Sequence, residues 1–452
     1  MSNLVAIVST LAGSVLVHLC LGSYYIFGNV SPYMISYLRN RTSEHTLRNE
    51  ENIWIPTTAT VLSSVATTLG GVLTAKVGVR ITVALGSAIM CIGVGLTYFT
   101  LQMSLPWVCV TYGLINNFGN SLAYGPPAQN AVGWIPKRPT FAVGLIVCGF
   151  GGGAFIFNQV VTAFINPDNI SPDLVDKYGD RYFTNKEVLD RVPYTFLLLA
   201  GIYFVMCVVG ILMIIPAPKP GQESTGCCGF RQVDDIGEIN KTDSLSMQVT
   251  KKEPVRVVIK RILSNKNAWI WVTIMFILFS GMQFANSFYK AYGQTFIYDD
   301  HFLALVGSIA SIFNCVFRPI WGLVMDKYGF ETTVKMICAL FTILSCTIMY
   351  TEKMHKIFFL LWIGSIYGSN CGIWAIGPSV LGKLFGVENM SLAIGFQFVG
   401  VSIGTIVGGF IGLNLQAVIG WHWLFIFAGG LGTVSFFITF FFDGRDTNGK
   451  KI

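Results

Sequence analysis

Charge is what this chain has least of. Asp, Glu, Lys and Arg make up 12% of its 452 residues, about half the share found in soluble globular domains. That deficit, beside 53% hydrophobic residues, excludes an ordinary water-soluble chain of two or three domains. Acidic residues are missing from the long apolar runs altogether, because every Asp and Glu falls between runs or near a chain end. Zinc-like cysteine spacings are missing too. Cys20, Cys91, Cys109, Cys148, Cys207, Cys315, Cys338, Cys346 and Cys371 sit inside apolar runs, where a thiol behaves as a small hydrophobe. Cys227 and Cys228 stand in a polar segment without metal-site partners. No nucleophile–base pair, metal-ligand cluster or nucleotide loop stands out. The glycine-rich Gly149–Gly153 stretch joins no strand to a helix, which excludes a dinucleotide site. The sequence therefore gives no ground to expect an enzyme, a metal or a cofactor. The net charge of +7 is no nucleic-acid signature, since the basic residues lie between apolar runs and set membrane orientation instead.

What is present is length of apolar sequence. Runs able to cross a hydrocarbon core, about 20 residues each, occur at 4–37, 53–75, 81–102, 106–133, 141–165 and 192–215, and again at 267–297, 302–325, 332–351, 357–381, 391–415 and 423–442. Lipid offers the backbone no partners, so these runs are expected to be helices. The expectation is an all-α membrane protein with a six-helix half over 1–215, a linker over 216–266, a second six-helix half over 267–442 and a tail over 443–452. A short amphipathic helix is expected around Val255–Leu263. No cleavable leader is expected, because the first run passes any small-residue cleavage site. Placing both ends and the linker in the cytosol puts nineteen Lys and Arg on that side and nine on the other, in keeping with the positive-inside rule. Asn40-Arg41-Thr42 then forms a glycosylation sequon in the first outer loop. The expected location is the plasma membrane.

The two sets of six runs match at a constant offset of 251 residues. Gly71, Lys76 and Gly78 fall on Gly322, Lys327 and Gly329; Gly113 falls on Gly364, Ala142 on Ala393, Gly144 on Gly395, Gly149 on Gly400 and Gly153 on Gly404. Parallel six-helix repeats place a substrate site between the halves near mid-membrane. The segments Gly71-Val-Leu-Thr-Ala75-Lys76-Val-Gly78 and Gly322-Leu-Val-Met-Asp326-Lys327-Tyr-Gly329 resemble the signature loops of the major facilitator superfamily. The resemblance covers the whole chain and implies that these residues gate and orient. Ala75 departs from it, standing where the family usually has aspartate.

Of thirty Lys and Arg, Lys290 and Arg318 are the two left inside the runs once Lys335, at the cytosolic end of its run, is counted with the cytosolic residues. Buried ionisable groups at membrane depth are costly and generally functional. With no acid in the runs to pair with them, both are available to an anion, and arginine's planar fork suits a carboxylate. Asn314-Cys-Val-Phe-Arg318-Pro319-Ile-Trp-Gly322 resembles span eight of the monocarboxylate transporters, with Asn314 replacing that family's proton-linked aspartate. Gly119-Asn-Ser-Leu-Ala-Tyr124-Gly-Pro-Pro127, Gly133-Trp134-Ile-Pro136 and Gly364-Ser-Ile-Tyr367-Gly368 resemble the oxalate/formate antiporter family. Its bacterial members carry a lysine in span eleven that is absent here; Lys290 in span seven is one substitute, and a monoanion needing Arg318 alone is the other.

The expected substrate-binding set is Arg318, Lys290, Asn314, Tyr24, Tyr25, Tyr124, Asn286 and Trp374. His18 is either a proton relay or a core imidazole bonded to a carbonyl. The resulting expectation is a secondary transporter of small organic anions (lactate, formate or oxalate in size) working by exchange or uniport. Its partners are then the substrate anion and the bilayer, with no nucleic acid and an accessory membrane protein left open. A carrier of neutral or zwitterionic solutes, or a non-transporting sensor, are the alternatives.

Overall fold

The computed structural model describes residues 3–136, 138–170, 172–175, 181–217, 255–293, 295–297, 299–446, 449 and 452. Most of the 216–266 linker, with Cys227 and Cys228, lies outside the described residues.

Ten helices among the described residues are long and apolar enough to cross a bilayer, and the bent pair Val255–Ser264 and Lys266–Met282 makes an eleventh. The remaining span expected from the sequence, the fourth, is helical as well. It runs from Leu105–Val108 through a wide π-helical turn, Cys109–Ile115, into Asn116–Trp134. It fails on apolarity because Asn116, Asn117, Asn120, Ser121, Gln129 and Asn130 stand along it. π-turns concentrate at functional sites, and this span lines the cavity described below. Spans eleven and twelve are separate helices, Val387–Ile411 and Ile419–Phe441, and the chain turns between them at Gly420 with φ +75°.

The repeat glycines of the signature loops have a local reason. Gly78 (φ +87°) and Gly329 (φ +81°) each end one helix and begin the next. An L side chain in that left-handed conformation is strained, so glycine makes the turn at both places.

Apolar packing divides into two main clusters. One gathers Val17, Ile35, Val83, Phe157, Phe196 and Tyr203 from the first six spans. The other gathers Trp271, Phe284, Phe330, Phe341, Phe359 and Phe385 from the last six, and reaches across to Val143 and Val147. Between them, span five lies along span eight and span two along span eleven. A Cβ on Gly144 would stand 3.0 Å from the Arg318 carbonyl oxygen, so bare backbone lets these two helices touch. Across the other seam Ser64 Oγ donates to the Gly395 oxygen (2.6 Å) and Ser402 Oγ to the Thr60 oxygen (2.7 Å).

The face that carries both chain ends is closed. Gln129 Nε2 donates to the Val387 and Glu388 carbonyls, and Ser391 Oγ donates to Gln129 Oε1 at 2.7 Å. Thr140 and Ser379 hydroxyls meet at 2.5 Å, and the Phe141 amide donates to Asp326 Oδ2 at 3.1 Å. Asp326 thus accepts from the first turn of span five, where amides lack helical partners and the dipole favours an anion. The repeat places the counterpart of that contact between residue 75 and the Leu392 amide. Ala75 brings no carboxylate there, although the glycine packing recurs, Gly71 lying on the Ser391–Leu392 backbone as Gly322 lies on Thr140–Phe141. The closure is therefore lopsided: charged in the second signature loop, amide-based opposite it.

On the other face, a two-stranded hairpin pairs Leu174–Val175 with Arg181–Tyr182. Arg39 lies 4.4 Å from the Tyr182 ring centroid. Asn40 Nδ2, the atom a glycan would occupy, donates to the Ser36 and Phe183 carbonyls.

Candidate functional site

Spans one, two, four, five, seven, eight, ten and eleven line a cavity of about 80 Å³. Span one is loosened beside it by the 3-10 turn Gly22–Ile26, and span ten tightens by one 3-10-type bond at Cys371, whose carbonyl accepts from the Trp374 amide at 3.2 Å. Tyr24, Tyr25, Tyr124, Asn314 and Trp374, all expected from the sequence, line this cavity.

Arg318 lies one turn beyond Asn314 along span eight, ten residues and thus about 15 Å from the helix end at Tyr328. It is wholly buried and does not itself line the cavity. Its Nη1 donates to the Val147 carbonyl at 2.5 Å, and its Cζ lies 5.6 Å from the Phe150 centroid. Nε and Nη2 make no well-formed hydrogen bond, the Tyr25 hydroxyl approaching the guanidinium without completing one, and no carboxylate pairs with the guanidinium among the described residues. These two N–H groups form one edge of the planar fork, the edge that engages both oxygens of a carboxylate side-on. An unpaired buried cation of this kind is unfavourable by itself. Tyr25 faces both Arg318 and Asn314, standing between the cavity and the charge.

Asn314 and Asn370 both leave Oδ1 without a partner, although each is nearly buried. The two lining asparagines of span four differ: Asn117 bonds the Ala59 carbonyl and Ser63 Oγ, and Asn120 bonds the Leu21 carbonyl at 2.6 Å. Asn314 and Asn370 thus keep an open amide oxygen on spans eight and ten, while the Asn117 and Asn120 amides tie helices together. An aromatic wall completes the cavity. Tyr124 meets Phe150 at 5.5 Å, Phe398 at 5.9 Å and Trp374 at 6.2 Å, and Trp374 meets Phe279 at 5.1 Å. The Tyr124 hydroxyl is buried and unpartnered.

Other expected residues fall elsewhere. Lys290 is half-buried in span seven, eight residues past the lining residue Met282, or about 12 Å further along the helix. The side chain of Asn286 lies outside the described residues. His18 is buried outside the lining, its Nδ1 3.0 Å from the Ser14 oxygen and its Nε2 3.2 Å from the Tyr124 oxygen. It ties span one to span four; a neutral ring donates to only one of those carbonyls. The sequence reading missed Phe150, Tyr367, Asn370 and Phe398. The polar residues of span four and the Asn370-Cys371-Gly372 segment carried some signal, whereas the aromatics read as ordinary packing. Among the described residues no three His, Cys, Asp or Glu side chains gather as metal ligands would.

The family model of the Major Facilitator Superfamily matches residues 14–368 and 274–452. The chain belongs to this superfamily. Among curated proteins it is similar to apicoplast pyruvate carrier 1 of Toxoplasma gondii, 27% identical over 85% of this chain and 79% of that one. It is also similar to the oxalate:formate antiporter of Oxalobacter formigenes, at 21% identity over 82% and 77%. Among solved structures, the facilitator fold of the xylose transporter XylE from E. coli superposes with a TM-score of 0.65 at 14% identity, covering 99% of both chains. The human organic anion transporter superposes with a TM-score of 0.61 at 12% identity, covering 97% of this chain and all of the other. The fold is therefore that of a multi-pass membrane transporter.

Proposed function

We propose that this facilitator carries small organic anions, with Arg318 as the counter-charge that recognises the carboxylate. The unpaired side-on edge of a wholly buried guanidinium carries the reading. A carboxylate that reaches it supplies two charge-assisted hydrogen bonds and removes the cost of an isolated charge. Tyr25 and Asn314 must shift to admit it, since Arg318 lies behind them. The anion is then held from spans eight and ten, with the aromatic wall around its apolar part. Neutralisation of the cation favours closure of the halves over the cavity. The named cargoes of two relatives, pyruvate and oxalate or formate, are small carboxylates. One cation near the cavity, with Lys290 about 12 Å beyond the lining, favours monocarboxylates over dicarboxylates. No lining side chain is acidic among the described residues, which favours exchange or uniport over proton symport. We place the protein in the plasma membrane with both ends cytosolic.

The test is uptake of labelled short-chain carboxylates into proteoliposomes, with and without carboxylate on the far side. Trans-stimulated uptake that disappears in Arg318→Ala is expected. A folded preparation without any carboxylate flux would sink the reading. One observation favours a second reading: the rings of Tyr124, Trp374, Phe279 and Phe398 suit an ammonium by cation–π attraction. Stronger competition by amino acids than by lactate or formate would select a zwitterion carrier.

A further inference from the structure

The helix Val255–Ser264 precedes span seven and meets it at an angle of 72°. Asn265 makes the corner, its Oδ1 accepting from the Asn267 and Ala268 amides at the start of the span. Because span seven crosses the membrane, a helix at this angle lies nearer the membrane plane than its normal.

At 100° per residue this short helix has three edges. Val258 and Ile262 are buried against the last six spans. Beside them Val255, Ile259 and Leu263 form an apolar edge, 38–48% exposed. Beside that edge stand Arg256 and Lys260, both exposed and one turn apart. At the corner, Trp269 is 48% exposed and donates from Nε1 to the Leu263 carbonyl at 2.8 Å. An apolar edge flanked by basic residues, lying in the plane beside an indole, is the pattern of a helix seated in the lipid interface.

We infer that this helix binds anionic phospholipid: Ile259 and Leu263 enter the acyl boundary while Arg256 and Lys260 pair with headgroup phosphates. Charge complementarity selects the occupant, since a neutral leaflet leaves the basic edge without counter-charge. The helix leads directly into span seven, whose Phe279 and Met282 line the cavity. Lipid held there bears on the position of a cavity wall.

The experiment titrates the purified full-length protein in neutral detergent with phosphatidylglycerol or phosphatidylcholine, following lipid binding by native mass spectrometry and melting temperature. Wild type is expected to prefer phosphatidylglycerol, and Arg256→Gln with Lys260→Gln to weaken that binding about five-fold per charge removed. Raised salt reduces the preference, and Arg256→Lys, which keeps the charge, retains it. Undiminished phosphatidylglycerol binding in a folded double variant overturns the assignment. So does a preference untouched by Ile259→Gln with Leu263→Gln, which would mark the basic edge as a site for soluble polyanions. None of these readouts depends on transport.

Discussion

Replacing Arg318 by alanine removes a guanidinium that makes one hydrogen bond, to the Val147 carbonyl, and leaves two N–H groups unpaired. The Val147 carbonyl lies within the helix Pro139–Ile165 and keeps its intrahelical partner. The variant therefore strands no charge, and a melting temperature equal to or above wild type is expected. The bound state loses much more. Two hydrogen bonds from a charged donor to a carboxylate are worth about 1.5–3 kcal/mol each, so apparent affinity falls by roughly two to four orders of magnitude. Arg318→Lys keeps the charge but has no planar fork, and is expected to lose roughly ten- to a hundred-fold by giving up one of the paired bonds. The assay is the concentration dependence of labelled lactate and pyruvate uptake, with thermal melting of the same preparations. Saturable uptake with wild-type affinity in Arg318→Ala would refute the reasoning. Normal affinity beside a sharply lowered melting temperature would assign the residue to structure.

Three further outcomes follow from other parts of the molecule. An inward pH gradient is expected to leave carboxylate uptake nearly unchanged, because the cavity wall carries no acid among the described residues; a strong stimulation lost in His18→Gln would make His18 a relay. Asp326→Asn weakens the bond to the Phe141 amide by about 1 kcal/mol, a several-fold shift toward opening of the face bearing the chain ends. Label-to-label distances between spans five and eight would measure it, and an unchanged distribution would dismiss the latch. In the loop between spans five and six the Thr184 hydroxyl and amide hold the Asp173 carboxyl below its ordinary range. A lowered folded pKa gives stability that is present above the unfolded value and lost as pH falls through the folded one. Protection of the hairpin amides relative to their intrinsic exchange rates should therefore fall in acid, and an equal fall in Asp173→Asn would exclude this carboxyl.

Much of the architecture was legible in the chain because the bilayer imposes a simple code. Apolar length sets the spans, and the 251-residue offset exposes the repeat. The positions of Gly78 and Gly329 at helix junctions were written in the motif, because a left-handed turn selects glycine. Span four shows where the code weakens: amides that hold it to spans one and two lower its apolarity. Arg318 and Asn314 stood out in sequence because intramembrane charge is rare and spacing of four puts them on one helix face. Phe150, Tyr367, Asn370 and Phe398 did not, since nothing in a local window separates a cavity aromatic from a packing one.

The sequence by itself determined a polytopic helical protein with two related halves and a basic charge at membrane depth without an acid in its own run. Only the tertiary structure decided which edge of that charge is free, that Lys290 lies away from the cavity lining, and that Asn314 and Asn370 keep an open amide oxygen while the Asn117 and Asn120 amides of span four are tied. The reason is physical. Local pattern reports the solvent a segment must face, whereas hydrogen-bond satisfaction depends on which backbone carbonyls other spans bring within reach.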